Sequence, residues 1–292
     1  MNSIIEQMLE QHGTATLQDR KNGIKEVVQE IVLCGLSRAG FFKQAAFYGG
    51  TALRIFYELD RFSEDFDFSL MAPEPDFDLP AFFPMVEKEL NAYGFHFKAE
   101  DHAKAVDSDI RSAFLKGNTR EHLLTLYADE RMARSVSGNE VIKVKLEVDT
   151  TPPPHATFER TYRLMPIPYE INLYDMPSLF AGKLHAVICR AWKSRVKGRD
   201  LYDYVFYLSR NVPVNLRHLN ARLQDSGFDG AREDLTLDEI KGILRRRFDA
   251  IDFDQAREDV LPFIRNPSAV DVWSRDFFVA ITEGLTAEQV EL

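Results

Sequence analysis

Two adjacent glycines at the close of an apolar run, Gly49 and Gly50 in FYGGTALRIFYELDRFSEDFDFSL, constrain this chain more than any other feature. Phe47 and Tyr48 read as the end of a buried strand. The glycines after them permit a tight turn and a close backbone approach to a ligand, because no Cβ stands in the way. Thr51 to Leu59 reads as a short helix with Leu53, Ile55 and Phe56 to bury, and its amino-terminal end favours anions such as phosphate. Asp65-Phe66-Asp67 begins fifteen residues after Gly50, in a predicted strand from Glu64 to Leu70. There Asp65, Asp67 and Ser69 share one face, while Phe66, Phe68 and Leu70 share the other. Two carboxylates on one face are costly to place unless a cation neutralises them. A phosphate cradle beside a paired-carboxylate metal site describes a nucleotidyl-transfer centre.

The rest of the chain supplies a scaffold for such a centre. At 292 residues, with 45% hydrophobic and 12% aromatic content, it is long and apolar enough to bury a sizeable core, as one large domain or two small ones. Before the glycine turn, Ile24, Val27, Val28, Ile31, Val32 and Leu36 recur at three- and four-residue spacing, the apolar stripe of a helix that packs on a core. Met71 to Pro80 is a turn-rich break, followed by a helix over about Ala81 to Tyr93. Short strands are expected near Phe95–Ala99, Ile110–Leu115 and Leu123–Ala128. Val141 to Asp149 alternates cleanly, with Val144, Leu146 and Val148 on one face and Lys143, Lys145, Glu147 and Asp149 on the other. Thr150 to His155 carries three prolines and ends that strand, because proline cannot continue a ladder. From Pro177 onward the segments 177–193, 200–208, 215–223, 238–249, 253–264 and 268–283 all read as helices. The expected fold is α/β (α+β): a small mixed sheet with flanking helices over residues 1–175, then a helical bundle over 176–292 that completes the active-site cleft.

Composition excludes several function classes. No apolar run approaches the roughly 20 residues that span a bilayer, and the first residues carry no basic leader, so a cytoplasmic protein without a membrane partner is expected. Cys34 and Cys189 stand far apart without a C-x-x-C partner, which argues against both a disulfide framework and a zinc site. The two are expected as buried thiols in a reducing compartment. The seven histidines form no ligand-spaced cluster, and there is no G-x-x-x-x-G-K-[ST], H-E-x-x-H or G-x-S-x-G motif. A net charge of −10 argues against a generally sticky nucleic-acid binder. Arg190 to Arg199 nevertheless holds five basic residues and no acidic one. That stretch has two readings: a solvated helix end, or a landing strip for triphosphate or RNA backbone.

GGTALR, LDRFSEDFDFSL, the segment PSLFAGKL from Pro177 and the segment KGRDLYD from Lys197 together resemble the AbiEii/AbiGii toxin family, within the polymerase-beta-type nucleotidyltransferases. The similarity runs from about Phe47 to about Leu208. It implies an Mg²⁺-dependent enzyme that transfers NMP from an NTP to an RNA acceptor, a tRNA 3′ end foremost, as the toxin of a type IV-like toxin–antitoxin or abortive-infection system with a separate antitoxin protein. It also implies that Asp65 and Asp67 hold metal, that Gly49, Gly50, Thr51 and Ser63 bind nucleotide phosphates, that Lys183 contacts the triphosphate, and that Asp200 orients that lysine or moves a proton.

Enzymes of this kind use a third carboxylate on a neighbouring strand to hold metal or activate the hydroxyl. Glu147 is the candidate and Asp149 the runner-up, both on the polar face of the strand from Val141. The plain alternative for either is a surface acid paired with Lys143 or Lys145. For Asp65 and Asp67 it is a pair of exposed edge-strand acids, and for Ser63 a turn cap. Arg54 and Arg61 either meet phosphate or pair with Glu58 or Glu64. Lys183 and Asp200, read without the resemblance, are a snorkelling lysine and an ordinary helix-start acid. An enzyme acting on a protein or small molecule, and a non-catalytic nucleotide-binding regulator, are the competing functions. A sugar-nucleotide transferase also uses D-x-D, but without a glycine turn and short helix directly upstream.

Overall fold

The computed structural model describes residues 3–13, 15–102, 109–127, 129–190 and 195–288. The chain divides into two compact units. Unit 1 comprises Met1–Thr51, Glu64–Pro152 and Arg160–Leu173. Unit 2 comprises Ala52–Ser63, Pro153–Glu159 and Tyr174–Leu292.

Along the chain, α1 (Ser3–Glu10) and α2 (Leu17–Arg38) lead into β1 (Ala45–Tyr48), and α3 (Gly49–Tyr57) and β2 (Phe66–Leu70) follow. Then come α4 (Phe83–Ala92), β3 (Phe97–Asp101), β4 (Ile110–Asn118), α5 (Thr119–Tyr127) and α6 (Glu130–Arg134). The strands β5 (Val141–Asp149), β6 (Phe158–Arg163) and β7 (Tyr169–Tyr174) complete a seven-stranded mixed sheet of order β3-β4-β5-β2-β1-β7-β6. Strand β2 lies at its middle, antiparallel to β1 and parallel to β5.

Alternation in β2 decides what the sheet buries. Phe66 and Phe68 are fully buried, with ring centroids 5.6 Å apart, and Phe68 also meets Phe41 at 4.9 Å and Phe47 at 5.0 Å. Such offset and edge-on contacts are the favoured aromatic geometries. Asp67, between the two rings in sequence, points to the opposite face. Helix α2 packs against α4, and every residue of its expected stripe is fully buried. Gln29, Leu33, Cys34 and Gly35 are buried as well, so α2 is covered on more than the one face that its apolar spacing describes. Its start is secured by a Thr16–Asp19 capping box.

Three local expectations need correction. The strand expected at Leu123–Ala128 is the helix α5, and Ala128 lies outside the described residues. Thr119, His122, Leu123 and Leu126 are its buried residues, a three- and four-residue rhythm, and the segment has only threonines as β-branched residues. Asp65 precedes the ladder, which starts at Phe66 rather than Glu64. Strands β6 and β7 were not foreseen; β7 buries Tyr169 and Ile171 through Tyr174 almost without alternation, so no period-two signal marks it.

Unit 2 contains α7 (Met176–Cys189), α8 (Gly198–Ser209), α9 (Leu216–Asp225), α10 (Leu237–Asp249), α11 (Phe253–Val260) and α12 (Arg275–Thr282). Side-chain caps start five of the six: Asp175, Asn215, Thr236, Asp252 and Ser274 each accept from a backbone N–H in the first turn. Helix α8 starts with Gly198 pressed against α11, where an added Cβ would stand 1.9 Å from the Ala256 carbonyl oxygen. Phe180 stacks on Tyr207 at 4.5 Å, while Tyr204, Phe248 and Phe278 close the rest of this core. No helix among the described residues is long and apolar enough to cross a membrane.

Because Phe68 packs against Phe41, Phe42, Phe47 and Phe66, Phe68→Ala is expected to cost about 3–5 kcal/mol, the usual range for emptying a buried phenylalanine site. Urea denaturation at pH 7 measures it.

Candidate functional site

Unit 1 assembles the glycine turn and the carboxylates by strand register. Tyr48 of β1 is the antiparallel partner of Asp67, and Glu147 of β5 is its parallel partner. Asp67 therefore has the glycine turn on one side and Glu147 on the other. Gly49 has φ +82°, a left-handed conformation that suits glycine, and a Cβ there would stand 2.5 Å from Asp67 Oδ2. Its lack of a side chain thus serves twice, in the turn and in the room left for the carboxylate. Thr51 is buried, and its hydroxyl donates to the Asp65 carbonyl, which ties the start of α3 to the residue before β2. Asp65 is exposed and Asp67 half-buried. Glu64, next to them, accepts from Lys25 at 2.7 Å, and its carbonyl accepts from Gln29 at 3.0 Å.

Register also separates the two candidates for the third carboxylate. Glu147 lies opposite Asp67, whereas Asp149 lies opposite Ser69 and accepts from the Thr151 amide at 3.1 Å. Glu147 is held by Lys145 at 2.7 Å and by the Ser112 hydroxyl at 3.3 Å. So the plain pairing with Lys145 is present, and so is the placement beside Asp67. Among the described residues, no three His, Cys, Asp or Glu side chains stand close enough together to hold a metal ion as they are.

Ser63, Lys183 and Asp200 belong to unit 2, where Lys183 and Asp200 sit in a buried ion network. Lys183 Nζ donates to Asp200 Oδ1 and reaches Asp203 Oδ2, each at 2.8 Å. Arg61 grips Asp203 with two bonds, Nε to Oδ1 at 2.6 Å and Nη2 to Oδ2 at 2.7 Å, and Arg190 meets Asp200 at 2.5 Å. Asp203 is fully buried and Arg61 only 3% exposed. Burial alone would raise both aspartates, but Lys183 and Arg190 at Asp200, and Arg61 and Lys183 at Asp203, outweigh it and hold both below the usual carboxylate range. Arg61 therefore pairs neither with Glu58 nor with Glu64.

Asp203 is the member of this network that sequence reasoning missed. The signal was the i, i+3 spacing of Asp200 and Asp203 in RDLYD, which places both on one face of α8. Arg54 donates to the Leu59 carbonyl at 3.0 Å. Of the basic stretch, Ala191 to Ser194 lie outside the described residues. Elsewhere in it, Arg190 serves Asp200, Arg195 pairs with Asp259, and Arg199 stands 4.3 Å over the Phe263 ring. These three side chains are engaged within unit 2 rather than laid out as a landing strip.

The profile of the family described as "Nucleotidyl transferase AbiEii toxin, Type IV TA system" matches residues 31–280. The chain belongs to this family. It is a nucleotidyltransferase of the AbiEii toxin family, and the match takes in the glycine turn, both strands of the carboxylate face and the Lys183 and RDLYD segments. Among solved structures, the chain is similar to JHP933 from Helicobacter pylori, at 17% identity over 90% of each chain with a TM-score of 0.48. It is also similar to an antigenic nucleotidyltransferase-like protein from Paracoccidioides brasiliensis, at 15% identity over 68% of this chain and 86% of that one, with a TM-score of 0.39. At such scores neither likeness carries an argument. No curated protein matches the chain.

Two outcomes follow from the geometry of the family member. Gly49→Ala is expected to cost about 1–2 kcal/mol from the left-handed conformation alone, read by urea denaturation, with a further loss from the contact on Asp67. Asp203→Asn leaves Arg61 buried without its countercharge, and breaking such a pair costs about 3–5 kcal/mol. A depressed carboxylate stabilises the fold fully above its unfolded-state value, near 3.8, and loses that contribution as pH falls through the lower folded value. The stability gap between wild type and Asp203→Asn should therefore be full at pH 7 and narrow below about pH 4. A gap that is constant from pH 7 to pH 3 contradicts the ionised pair.

Proposed function

We propose that this AbiEii family member is an Mg²⁺-dependent enzyme that transfers NMP from an NTP to the 3′ end of an RNA, a tRNA foremost. The observation that carries the reading is the row formed across the sheet by the glycine turn, Asp67 and Glu147. The donor set suits a hard cation: carboxylate oxygens on adjacent strands, one of them packed against the bare Cα of Gly49. Asp65, Asp67 and Glu147 would hold Mg²⁺, which neutralises charge on the phosphates during transfer. Gly49, Gly50 and Thr51, at the amino-terminal end of α3, are the phosphate cradle, with Ser63 adding a hydroxyl.

The chemistry is a substitution at phosphorus. The acceptor hydroxyl oxygen bonds to the α-phosphorus of the NTP while the bond from that phosphorus to the bridging oxygen breaks. Pyrophosphate departs, and the hydroxyl proton is released to solvent. Such a reaction depends mostly on positioning and charge neutralisation. Lys183 is the proposed triphosphate contact and Asp200 the residue that orients it; their 2.8 Å pairing supports that division of roles.

As the family description implies a toxin, the biological reading is growth inhibition in the cytoplasm, held in check by a separate antitoxin. Incubation with each labelled NTP, Mg²⁺ and total RNA, then total protein, tests the reaction. Label in RNA is expected, lost at least about 100-fold in Asp67→Ala and falling further in Glu147→Ala than in Asp149→Ala. Label in protein alone, or tight NTP binding with no transfer to either pool, overturns the acceptor or the enzyme reading respectively. In cells, induction of the wild type should arrest growth where Asp67→Ala does not, and equal growth of the two removes the toxin role.

A further inference from the structure

Unit 1 holds a second feature beside the carboxylates. A cavity of about 530 Å³ opens next to Asp65, between the start of α2 and the outward face of β4 and β5. Its volume is within the range of small-molecule and nucleotide sites. Four lysines line it, Lys21 and Lys25 from α2 and Lys143 and Lys145 from β5, together with the half-buried ring of Phe114. In a chain of net charge −10 such a gathering of cations is local, not a general property of the surface. Lys21 is held by Glu140 at 2.5 Å, Lys25 by Glu64 at 2.7 Å and Lys145 by Glu147 at 2.7 Å.

Lys143 differs from the other three. Among the described residues it meets no carboxylate, and its ammonium stands 3.4 Å from the centre of the Phe114 ring. A polynucleotide carries a partner for each group: a phosphate can pair with the ammonium, and a base can stack on the ring. Thr119, also on the cavity wall, is fully buried with a hydroxyl that has no hydrogen-bond partner. Buried polar atoms of that kind are rare without an explanation such as a ligand or water.

Register then places the cavity relative to the proposed chemistry. Ser112, Glu147, Asp67 and Tyr48 form one row across β4, β5, β2 and β1. Phe114 faces Lys145 in the next same-face row, two residues or about 6.6 Å along the strands. The glycine turn lies on the β1 side of Asp67, and the cavity lies toward β5 and β4. In-line substitution needs the attacking and leaving oxygens on opposite sides of the phosphorus. With the triphosphate cradled at the glycine turn, the cavity lies across Asp67 from it, which suits it to the acceptor.

We propose that this cavity is the docking site for the terminal nucleotide of a single-stranded polynucleotide acceptor, with its base against Phe114 and its backbone phosphates against Lys143 and its neighbouring lysines. The proposal rests on the nucleotidyltransferase reading above for its orientation, while the binding itself is independent of catalysis. The NTP shares the same chemistry, so the test separates the two ligands.

The experiment measures anisotropy of a fluorescein-labelled single-stranded oligoribonucleotide on the full chain across a salt series, and separately the affinity for a fluorescent NTP with Mg²⁺. Lys143→Gln is expected to weaken oligonucleotide binding about tenfold and to lower the slope of log K against log salt by about 0.7, one phosphate contact on a single strand. Phe114→Leu keeps an apolar side chain and is expected to weaken it at least about fivefold with little change in salt slope. NTP affinity should stay within about twofold in both. Oligonucleotide affinity unchanged in Lys143→Gln overturns the proposal, and so does a parallel fall in NTP affinity, which would assign the cavity to the NTP. A wild type that binds no oligonucleotide but labels protein overturns it while leaving the transferase intact. A wild type that binds the oligonucleotide through these residues yet transfers nothing sustains the cavity and removes the transferase reading. Thermal melting of each variant guards the comparison; if Phe114→Leu fails to fold, Lys143→Gln decides alone.

Discussion

The strand Phe66–Leu70 carries two incompatible demands, and its pleat satisfies both. Phe66 and Phe68 enter an aromatic cluster with Phe41 and Phe47, which fixes the register of the central strand against β1 and β5. A slip of one residue would drive Asp67 into that cluster and bring the rings to the polar face, so the hydrophobic cost of misregister is also what holds the carboxylate in place. Gly49 and Glu147 are positioned by the same pairing, because each is on, or one residue beyond, a strand paired with β2. The core and the proposed chemistry are thus two sides of one ladder.

Much of this was legible in sequence because the signals were local. The glycine pair announced the turn, alternation in β5 placed Glu147 and Asp149 on the polar face at the observed strand boundaries, and the stripe of α2 named its buried residues. What escaped depended on distant partners. Sequence already prefers Glu147 to Asp149, but its pairing with Asp67 shows only in the parallel register of β2 and β5, strands about eighty residues apart. The strand β7 is buried on both faces and shows no alternation, and α5 shares its short apolar run with a strand pattern until its three- and four-residue burial is seen. Arg61 and Asp203, 142 residues apart, appear separately as an ordinary loop cation and a helix acid.

That Arg61–Asp203 pair shows why a charged network in a core should be read with care. Two aspartates, two arginines and a lysine share the interior and edge of unit 2, and burial opposes every one of these charges. An apolar replacement of matched volume would serve stability as well or better. What the network does supply is a fixed place for Lys183, whose ammonium is clasped by two carboxylates that are themselves held by Arg61 and Arg190. A flexible four-carbon side chain loses much of its freedom in that grip, so the proposed triphosphate contact would need little further ordering.

The same logic extends to the carboxylate face of unit 1, where charge is compensated rather than left bare. Glu147 leans on Lys145 and Ser112, and Glu64 on Lys25, so the acids that flank the D-x-D segment are neutralised by the very lysines that line the neighbouring cavity. If a cation bound the carboxylates as proposed, Lys145 would lose its attraction to Glu147 and become available to an anion. Metal and polyanion would then favour each other's binding through one shared lysine, a coupling that is reciprocal by thermodynamic necessity. An enzyme built this way would present its cationic wall most strongly once its carboxylates are loaded, the state in which an acceptor is of use.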